Sequence, residues 1–245
     1  MNEVERYLFD LQGFLIVENA LSLEQVAAIN ELLDQQVNLH QELEKPWSRF
    51  DRLLSWGAPF RDLIDNPRIT PYLHTLLGNH FRLDHEYVHL IRQPGTGPIG
   101  SFLHGGGTPY DPCQYYLYKD GQMYNGLTAV AYQLTDVAPG EGGFGCIPGS
   151  HKSHFPVPDA LQDLETPHAC IQEISAKAGS AIIFTEALTH CTLFWQGKQE
   201  RRTLFYKYSP CSSAWLRQYY NPDDYPDLTE AQRRILKTPG VRPEM

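Results

Sequence analysis

Residues 127–150 read LTAVAYQLTDVAPGEGGFGCIPGS, and this stretch decides the fold. An apolar run of strand-forming residues leads into the turn APGEGG, and a second short apolar run leads into a Pro-Gly turn. Similar runs recur on both sides of it, at FRLDHEYVHLIRQ (81–93), IGSFLH (99–104), ACIQEISAK (169–177), SAIIFTEALTH (180–190) and RRTLFYKYS (201–209). Several short strands at regular spacing predict an all-β core of the jelly-roll or barrel type.

The segment before these strands has a different pattern. Residues 7–17 (YLFDLQGFLIV) run through a glycine into a β-branched stretch, and the amphipathic run that follows has Ser22 in the position of a helix N-cap. A strand followed by a helix is therefore predicted. Apolar spacing within residues 41–80 predicts one or two further short helices that end near Gly78 and support the sheet.

The chain is expected to form one domain over residues 1–245. Its length is enough to bury one sizeable core, and a 42% hydrophobic composition with 18 Pro and 19 Gly fits a folded protein with many turns. The tail is rich in Tyr and Pro, and Thr229 would cap a last helix there, so a lid or surface element is expected. The predicted parts are helical support at about 20–80, a jelly-roll core at about 81–210 and the tail at 211–245.

The charge balance excludes several classes of partner. There are 20 Lys and Arg against 29 Asp and Glu, a net charge of -9, which phosphate backbones and anionic lipid would repel. No stretch reaches the roughly 18 apolar residues of a spanning helix, and acidic residues within 1–9 stand where a signal peptide would be basic and then apolar. Neither nucleic-acid nor membrane partners are expected, and the predicted location is cytoplasmic.

Three of the ten histidines stand next to glycines or at the ends of predicted strands: His104 in FLHGGGTP, His151 in IPGSHK and His190 in EALTHCTLFWQGKQERR. Histidine is the commonest metal ligand, but one histidine at a strand end is more often structural. The case for a metal site therefore depends on the whole set of motifs and on their order.

In that order, His104, LTDVAPGEGGFGCIPGSHKSHFPVP (134–158) and AGSAIIFTEALTHCTLFWQGKQERR (178–202) resemble the phytanoyl-CoA dioxygenase family of non-haem iron oxygenases. The opening LFDLQGFLIVENALSLEQVAAINELL (8–33) is similar to the usual start of that family, so the resemblance covers roughly residues 7–210. It implies a double-stranded β-helix (jelly roll, cupin-like) with N-terminal and peripheral helices. It also implies iron(II) and 2-oxoglutarate as cofactors, with O2 and a small molecule as reaction partners.

The resemblance also implies which residues carry the chemistry. In the family, a first histidine with an acid two residues later and a distant second histidine bind the iron, and an arginine 11 residues after the second histidine holds the far carboxylate of 2-oxoglutarate. Carried over, His104 and His190 are the expected iron ligands, Arg201 the carboxylate partner and Thr192 its hydroxyl helper. Two imidazoles with open positions suit iron(II), and a guanidinium matches a carboxylate in bidentate fashion. The two-residue period of a strand places His190 and Thr192 on one face.

The sequence departs from the family pattern two residues after His104, where Gly106 stands in place of the carboxylate. A glycine has no side chain that could bind a metal. Three alternatives follow: another acid completes the site, the position is open to a halide or water, or the metal site has been lost.

The acid expected to bind the metal in place of the missing carboxylate is Glu141 in the PGEGG turn, and Glu186 is the next choice. In an extended strand Glu186 would lie about 13 Å from His190, so it reaches the metal only if the backbone bends between them. Asp111, in the Gly- and Pro-rich loop after His104, is a weaker third choice.

These alternatives define three functions. Hydroxylation of an unknown small molecule is the default reaction. An open position at Gly106 resembles the 2-oxoglutarate-dependent radical halogenases, which use chloride as a further ligand. A lost metal site would leave a non-catalytic jelly-roll binding protein, which fold alone does not exclude.

Overall fold

Within residues 1–95, 97 and 100–241, which the computed structural model describes, the strands are β1 (Phe14–Val17), β2 (Trp47–Asp51), β3 (Arg82–Ile91), β4 (Tyr116–Lys119), β5 (Gln122–Asn125), β6 (Thr128–Gln133), β7 (Gly143–Cys146), β8 (Gln172–Glu173), β9 (Ala181–Thr185), β10 (His190–Leu193) and β11 (Arg201–Ser209). A six-stranded sheet has the order β1-β9-β6-β11-β3-β2, and a three-stranded sheet has the order β10-β7-β8. The hairpin of β4 and β5 is separate from both. All of these strand pairs are antiparallel.

The α-helices are α1 (Glu3–Gln12), α2 (Leu23–Leu39), α3 (Ala58–Arg61), α4 (Thr70–Leu77) and α5 (Glu230–Ile235). Helix α2 begins where the sequence predicts, because the Ser22 side chain accepts a hydrogen bond from the Gln25 N–H while the Gln25 side chain accepts one from Ser22. Its buried residues join the main apolar core, which covers one face of the larger sheet. The helices therefore support the sheet, as expected.

The longest strand pair of the larger sheet is β3 and β11, whose ladder begins with Arg201 opposite Ile91. Because strand side chains alternate between faces, Arg201, Phe205 and Lys207 point to the face opposite the helices. A second apolar cluster lies there, between the two sheets. Phe144 of β7 meets Phe184 of β9 in it with ring centroids 4.6 Å apart. Two antiparallel sheets packed around a common interior form the predicted jelly roll.

Two elements at the N-terminal side were not predicted. Helix α1 precedes the predicted strand β1, and a capping box between Asn2 and Glu5 fixes its start. Strand β2 lies within the stretch where only helices were predicted, and it pairs with β3 as the edge of the larger sheet. Gly78 ends α4, as predicted.

The C-terminal tail is only in part a surface element. Thr229 caps α5 as predicted, and the side chains of Leu228, Ile235 and Leu236 are buried in the main core. Residues between β11 and α5 run over the end of the larger sheet, where they help to line a cavity. No helix in the described ranges is long and apolar enough to cross a membrane.

Candidate active site

The two predicted iron-binding histidines lie side by side between the sheets. His104 and His190 exchange two backbone hydrogen bonds of 2.9 Å, and their imidazole centroids are 4.2 Å apart. Each Nδ1 atom faces a backbone carbonyl oxygen, that of Phe102 for His104 (2.8 Å) and that of Leu188 for His190 (2.7 Å). A carbonyl oxygen only accepts, so Nδ1 carries the proton and Nε2 of each ring keeps a lone pair for a metal.

His190 is held in its neutral form. Burial lowers its pKa to about 3, and the neighbouring His104 acts in the same direction. Neutral imidazole is the form that binds a metal, so His190 needs to lose no side-chain proton at neutral pH.

Arg201, the first residue of β11, is a buried cation. Only 1% of the residue is exposed, and its Nε and Nη1 atoms have no hydrogen-bond partner among residues 1–95, 97 and 100–241. Burial lowers its pKa to about 10, so the guanidinium still carries its charge at neutral pH. An unpaired buried charge is unfavourable, and an anionic ligand would remove the penalty.

Arg201 and Thr192 face the same small space as the two histidines. This space, the inner cavity, has a volume of about 40 Å³ and is lined by, among others, His89, His104, His190, Thr192, Arg201 and Lys207. A ligand as large as 2-oxoglutarate therefore requires the lining side chains to move apart. The structure thus brings together four of the residues that the sequence singled out.

Glu186 reaches the histidines because the chain turns directly after β9. The Leu188 N–H donates to the Thr185 carbonyl at 2.9 Å, which closes the turn. One carboxylate oxygen of Glu186, Oε2, lies 3.9 Å from His190 Nε2, and the other, Oε1, lies 2.8 Å from the Lys207 ammonium. The bend that an extended strand would lack is therefore present.

Glu186 is ionised although it is buried. Burial by itself would raise its pKa, but the nearby Lys207 and His190 outweigh that effect and lower the pKa to about 2. The same ion pair raises the pKa of Lys207 against the effect of burial. A carboxylate therefore stands beside the two histidines at neutral pH.

Glu141 and Asp111 are placed differently. Oε2 of Glu141 accepts the N–H of Ala138 at 2.8 Å, inside the predicted turn. Oδ1 of Asp111 accepts the N–H of Cys113 at 2.7 Å in its own loop. In the part of the chain that the structure describes, neither carboxylate contacts His104 or His190, whereas that of Glu186 contacts His190. The structure does not bring these two carboxylates to the histidines.

The glycines after His104 adopt a backbone that side chains disfavour. Gly105 has φ 74° and Gly106 has φ 100°. A Cβ atom on Gly106 would lie 3.1 Å from Thr189 Oγ1, and one on Gly105 would lie 2.6 Å from the Glu186 carbonyl oxygen. The loop thus packs against the turn that carries Glu186.

The sequence analysis missed Lys207 and His89 as residues that line the inner cavity. Lys207 follows Arg201 by six residues on β11, so the two-residue period of a strand could have placed it on the same face. His89 is buried, and both its ring nitrogens lack a partner in the described ranges. Burial lowers its pKa to about 3, with nearby Arg49 and Arg201 acting in the same direction.

The side chains present fit a metal with a 2-oxo acid bound to it. Two imidazoles offer the lone pairs of their Nε2 atoms, and a guanidinium with two nitrogens unpartnered within the described residues, beside a hydroxyl, suits a carboxylate. Among the described residues, however, no group of three or more His, Cys, Asp or Glu side chains already stands arranged to hold a metal ion. The third protein ligand therefore needs a separate argument.

Comparison with known proteins identifies the family. The sequence profile described as "Phytanoyl-CoA dioxygenase (PhyH)" matches residues 9–203. A curated relative, the ectoine dioxygenase of Nocardia farcinica, is 24% identical over 213 residues, which cover 74% of this chain and 69% of the relative.

Solved structures of HygX from Streptomyces hygroscopicus share the fold. The form with nickel and 2-oxoglutarate bound superposes with a TM-score of 0.80 at 20% identity, covering 89% of this chain and 90% of HygX. The form that also holds hygromycin B has a TM-score of 0.76 at 20% identity, with the same coverage. These similarities confirm the predicted double-stranded β-helix with its supporting helices.

The family profile spans most of the sequence, from within α1 to the start of β11. This match confirms the predicted enzyme class and the predicted cofactors, iron(II) and 2-oxoglutarate. The chain belongs to the phytanoyl-CoA dioxygenase family of iron(II)- and 2-oxoglutarate-dependent oxygenases.

Proposed function

We propose that this enzyme hydroxylates a small polar molecule, with the metal held by His104 and His190 and the co-substrate held by Arg201 and Thr192. The observation that carries the proposal is the buried Arg201 guanidinium, whose Nε and Nη1 atoms lack a hydrogen-bond partner among the described residues, on the same cavity as His104 and His190. A dicarboxylate whose other end lies at the metal would pair this charge.

The chemistry divides between the cofactors and the chain. When bound, iron(II) and 2-oxoglutarate reduce O2 so that one oxygen atom enters succinate, carbon dioxide leaves, and the other oxygen atom enters the substrate as a hydroxyl group. The residues of the chain orient these groups and exclude water, because the cavity lies between two packed sheets.

The neighbouring Arg202 supports the choice of Arg201 as the co-substrate residue. Its guanidinium already binds Asp34 at 2.6 Å and Glu200 at 2.9 Å on the outer side of β11. Adjacent strand residues point to opposite faces, so Arg202 pairs on the face that carries the helices while Arg201 points into the interior.

A second space beside the site is large enough for a small substrate. This space, the outer cavity, has a volume of about 620 Å³ and is lined by His85, Glu86, Trp215, Tyr219 and Tyr225, among others. The His85 ring stacks on Tyr87 with centroids 5.9 Å apart, and Tyr87 lines the inner cavity. The two cavities thus share a wall, and 620 Å³ is within the range of small-molecule sites.

The known relatives support a small polar substrate. One relative is named an ectoine dioxygenase, and HygX has been solved with hygromycin B bound. The outer cavity has tyrosine, tryptophan and carboxylate side chains on its walls, which suits a molecule with both polar groups and apolar faces. A net charge of -9 also favours a small substrate over nucleic acid.

Halogenation is the second candidate, because Gly106 lacks the carboxylate of the family pattern. Chloride would then occupy the position that the missing acid leaves. The ionised Glu186 beside His190 disfavours this alternative, since it would place two negative groups close together.

The test is an assay of the purified enzyme with iron(II), 2-oxoglutarate and ¹⁸O2 over a panel of small amines, amino acids and sugars, in buffers with and without chloride. We expect succinate and a product that carries one ¹⁸O atom, in equal amounts and independent of chloride. A chlorinated product would instead establish the halogenase. An anaerobic titration in which neither iron(II) nor 2-oxoglutarate binds would contradict both proposals.

A further inference from the structure

We infer that Glu186 is the third protein ligand of the metal and takes the place of the acid that the family pattern puts at Gly106. This inference rests on the proposed function, since it concerns the same metal. It assigns the carboxylate to the turn after β9 rather than to the loop that carries His104. The sequence order of the ligands is then His104, Glu186, His190.

The first argument is position. Oε2 of Glu186 lies 3.9 Å from His190 Nε2, the atom that keeps its lone pair for a metal. Two neighbouring ligands on a metal with bonds of about 2.1 Å lie on the order of 3 Å apart. The present separation exceeds that value by about 1 Å, which a small rotation of the Glu186 side chain can close.

The second argument is that the two carboxylate oxygens of Glu186 make different contacts. Oε1 is paired with Lys207 at 2.8 Å, and Oε2 is the oxygen nearest to His190. The ammonium therefore fixes one oxygen and leaves the other free to bind a metal. Hydrogen-bonded partners of this kind orient metal-binding carboxylates in many proteins.

The third argument is that the backbone around Glu186 is fixed. The Glu186 N–H donates to the Leu127 carbonyl at 2.9 Å, and the Ala187 N–H donates to Thr185 Oγ1 at 3.3 Å. Glu186 itself is 3% exposed. These bonds and the burial hold the turn in place, so the Glu186 side chain projects from a fixed backbone.

The fourth argument concerns Gly106, where the family would place its acid. A Cβ atom there would point towards Thr189 Oγ1, the residue before His190, at 3.1 Å. Gly106 also has φ 100°, a backbone conformation that residues with a side chain rarely adopt, so an acid here would strain the backbone as well as crowd the Thr189 hydroxyl. The glycine is therefore not a vacated ligand position of unchanged geometry.

The test is metal binding by the apo-protein without 2-oxoglutarate or O2, measured by calorimetric titration with Mn(II) and by the visible spectrum of bound Co(II). The main variant is Glu186→Gln combined with Lys207→Met, which removes the carboxylate without leaving a buried lysine unpaired. The control is Glu141→Gln. Circular dichroism and thermal unfolding establish that each variant is folded.

We expect the double variant to bind Mn(II) at least about 10-fold more weakly and to change the Co(II) spectrum, because a ligand contributes no less than the partners that orient it. Glu141→Gln should bind like the wild type. The wild-type Co(II) spectrum should not change when chloride is added.

Three results would overturn the inference. In the first, the folded double variant binds Mn(II) as tightly as the wild type. The proposed function survives this result if 2-oxoglutarate binding by the wild type still depends on Arg201. In the second, Glu141→Gln alone loses the metal, which assigns the ligand to Glu141. In the third, the wild type binds neither metal nor 2-oxoglutarate, and the proposed function fails as well.

Discussion

Arg201 offers the sharpest prediction about a single residue. Arg201→Met keeps most of the side-chain length but removes the only charge that we assign to the far carboxylate of 2-oxoglutarate. Removing one partner of a buried charge pair costs about 2–5 kcal/mol, so the dissociation constant for 2-oxoglutarate should rise at least about 30-fold. The measurement is an anaerobic titration that follows the visible charge-transfer band of the iron(II) complex.

The matched control is Arg202→Met, one residue along the same strand. Arg202 pairs with Asp34 and Glu200 on the outer side of the sheet, so its loss should leave 2-oxoglutarate binding unchanged and lower stability by no more than about 1 kcal/mol. If both variants weakened 2-oxoglutarate equally, the effect would come from β11 as a whole and the assignment of Arg201 would be wrong.

Thr192 should contribute less than Arg201 because it supplies one neutral hydrogen bond. Thr192→Val keeps the shape of the side chain on β10 and removes the hydroxyl. A hydrogen bond of this kind is worth about 0.5–1.5 kcal/mol, so 2-oxoglutarate should bind roughly 2- to 12-fold more weakly. The same titration measures it, and an unchanged dissociation constant would remove Thr192 from the site while leaving Arg201 in place.

The sequence predicted correctly the site residues whose spacing along one strand determines which face of the strand they share. His190 and Thr192 share a strand face by period, and the structure puts both on the inner cavity. Glu186 could not be placed, because its distance from His190 depends on whether residues 186–189 extend or turn. That turn depends on long-range contacts such as the hydrogen bond from Glu186 N–H to Leu127, which the local sequence does not reveal.

At the scale of elements, the loop after His104 gives a stability prediction. Gly105 and Gly121 both have positive φ, 74° and 78°, but a Cβ atom at Gly105 would lie 2.6 Å from a carbonyl oxygen whereas one at Gly121 would meet nothing within 4 Å. Gly121→Ala should therefore cost only the backbone strain, about 1 kcal/mol, and Gly105→Ala should cost clearly more.

Urea unfolding of the two variants measures the difference. Gly105→Ala should also weaken metal binding, because the displaced carbonyl oxygen is that of Glu186. Equal losses of stability in the two variants would mean that the loop relaxes away from the turn, and that its packing does not help to position Glu186.

The sequence predicted best the helices whose N-terminal capping residues are close together in the chain. Ser22 and Thr229 cap α2 and α5 as the sequence indicates, because the cap and its glutamine partner lie three residues apart. Strand β2 was missed because its burial is partial and irregular, and its pairing with β3 comes from a partner more than thirty residues away. Strand pairing of that kind is set by tertiary contacts.

At the scale of the whole molecule, two buried acids on β3 join the sheet to the C-terminal tail. Asp84 accepts the backbone N–H groups of Trp215 at 2.8 Å and Leu216 at 3.2 Å. Glu86 accepts the N–H of Leu54 at 3.2 Å and contacts the hydroxyl of Tyr220. The tail forms part of the outer cavity wall, so these two acids help to shape the space that we assign to the substrate.

Glu86 gives a prediction about how the stability of the whole fold depends on pH. Burial raises its pKa from 4.5 to about 7, and Asp51 adds to the shift, whereas the Leu54 N–H opposes it. Between pH 4.5 and 7 the folded state therefore holds a proton that the unfolded state has lost, so the free energy of unfolding should fall as the pH rises through this range and then level off. The loss is on the order of 3 kcal/mol.

Urea unfolding of the wild type and of Glu86→Gln across this pH range measures the effect. Glutamine stays neutral in both states, so the variant should lack this fall, and the difference between the two curves removes the contributions of all other groups. Glu31→Gln, on the exposed side of α2, controls for the loss of one negative charge. Parallel curves for the wild type and Glu86→Gln would mean that Glu86 is ionised in the folded protein, and the tail would then be held by a charged carboxylate at every pH tested.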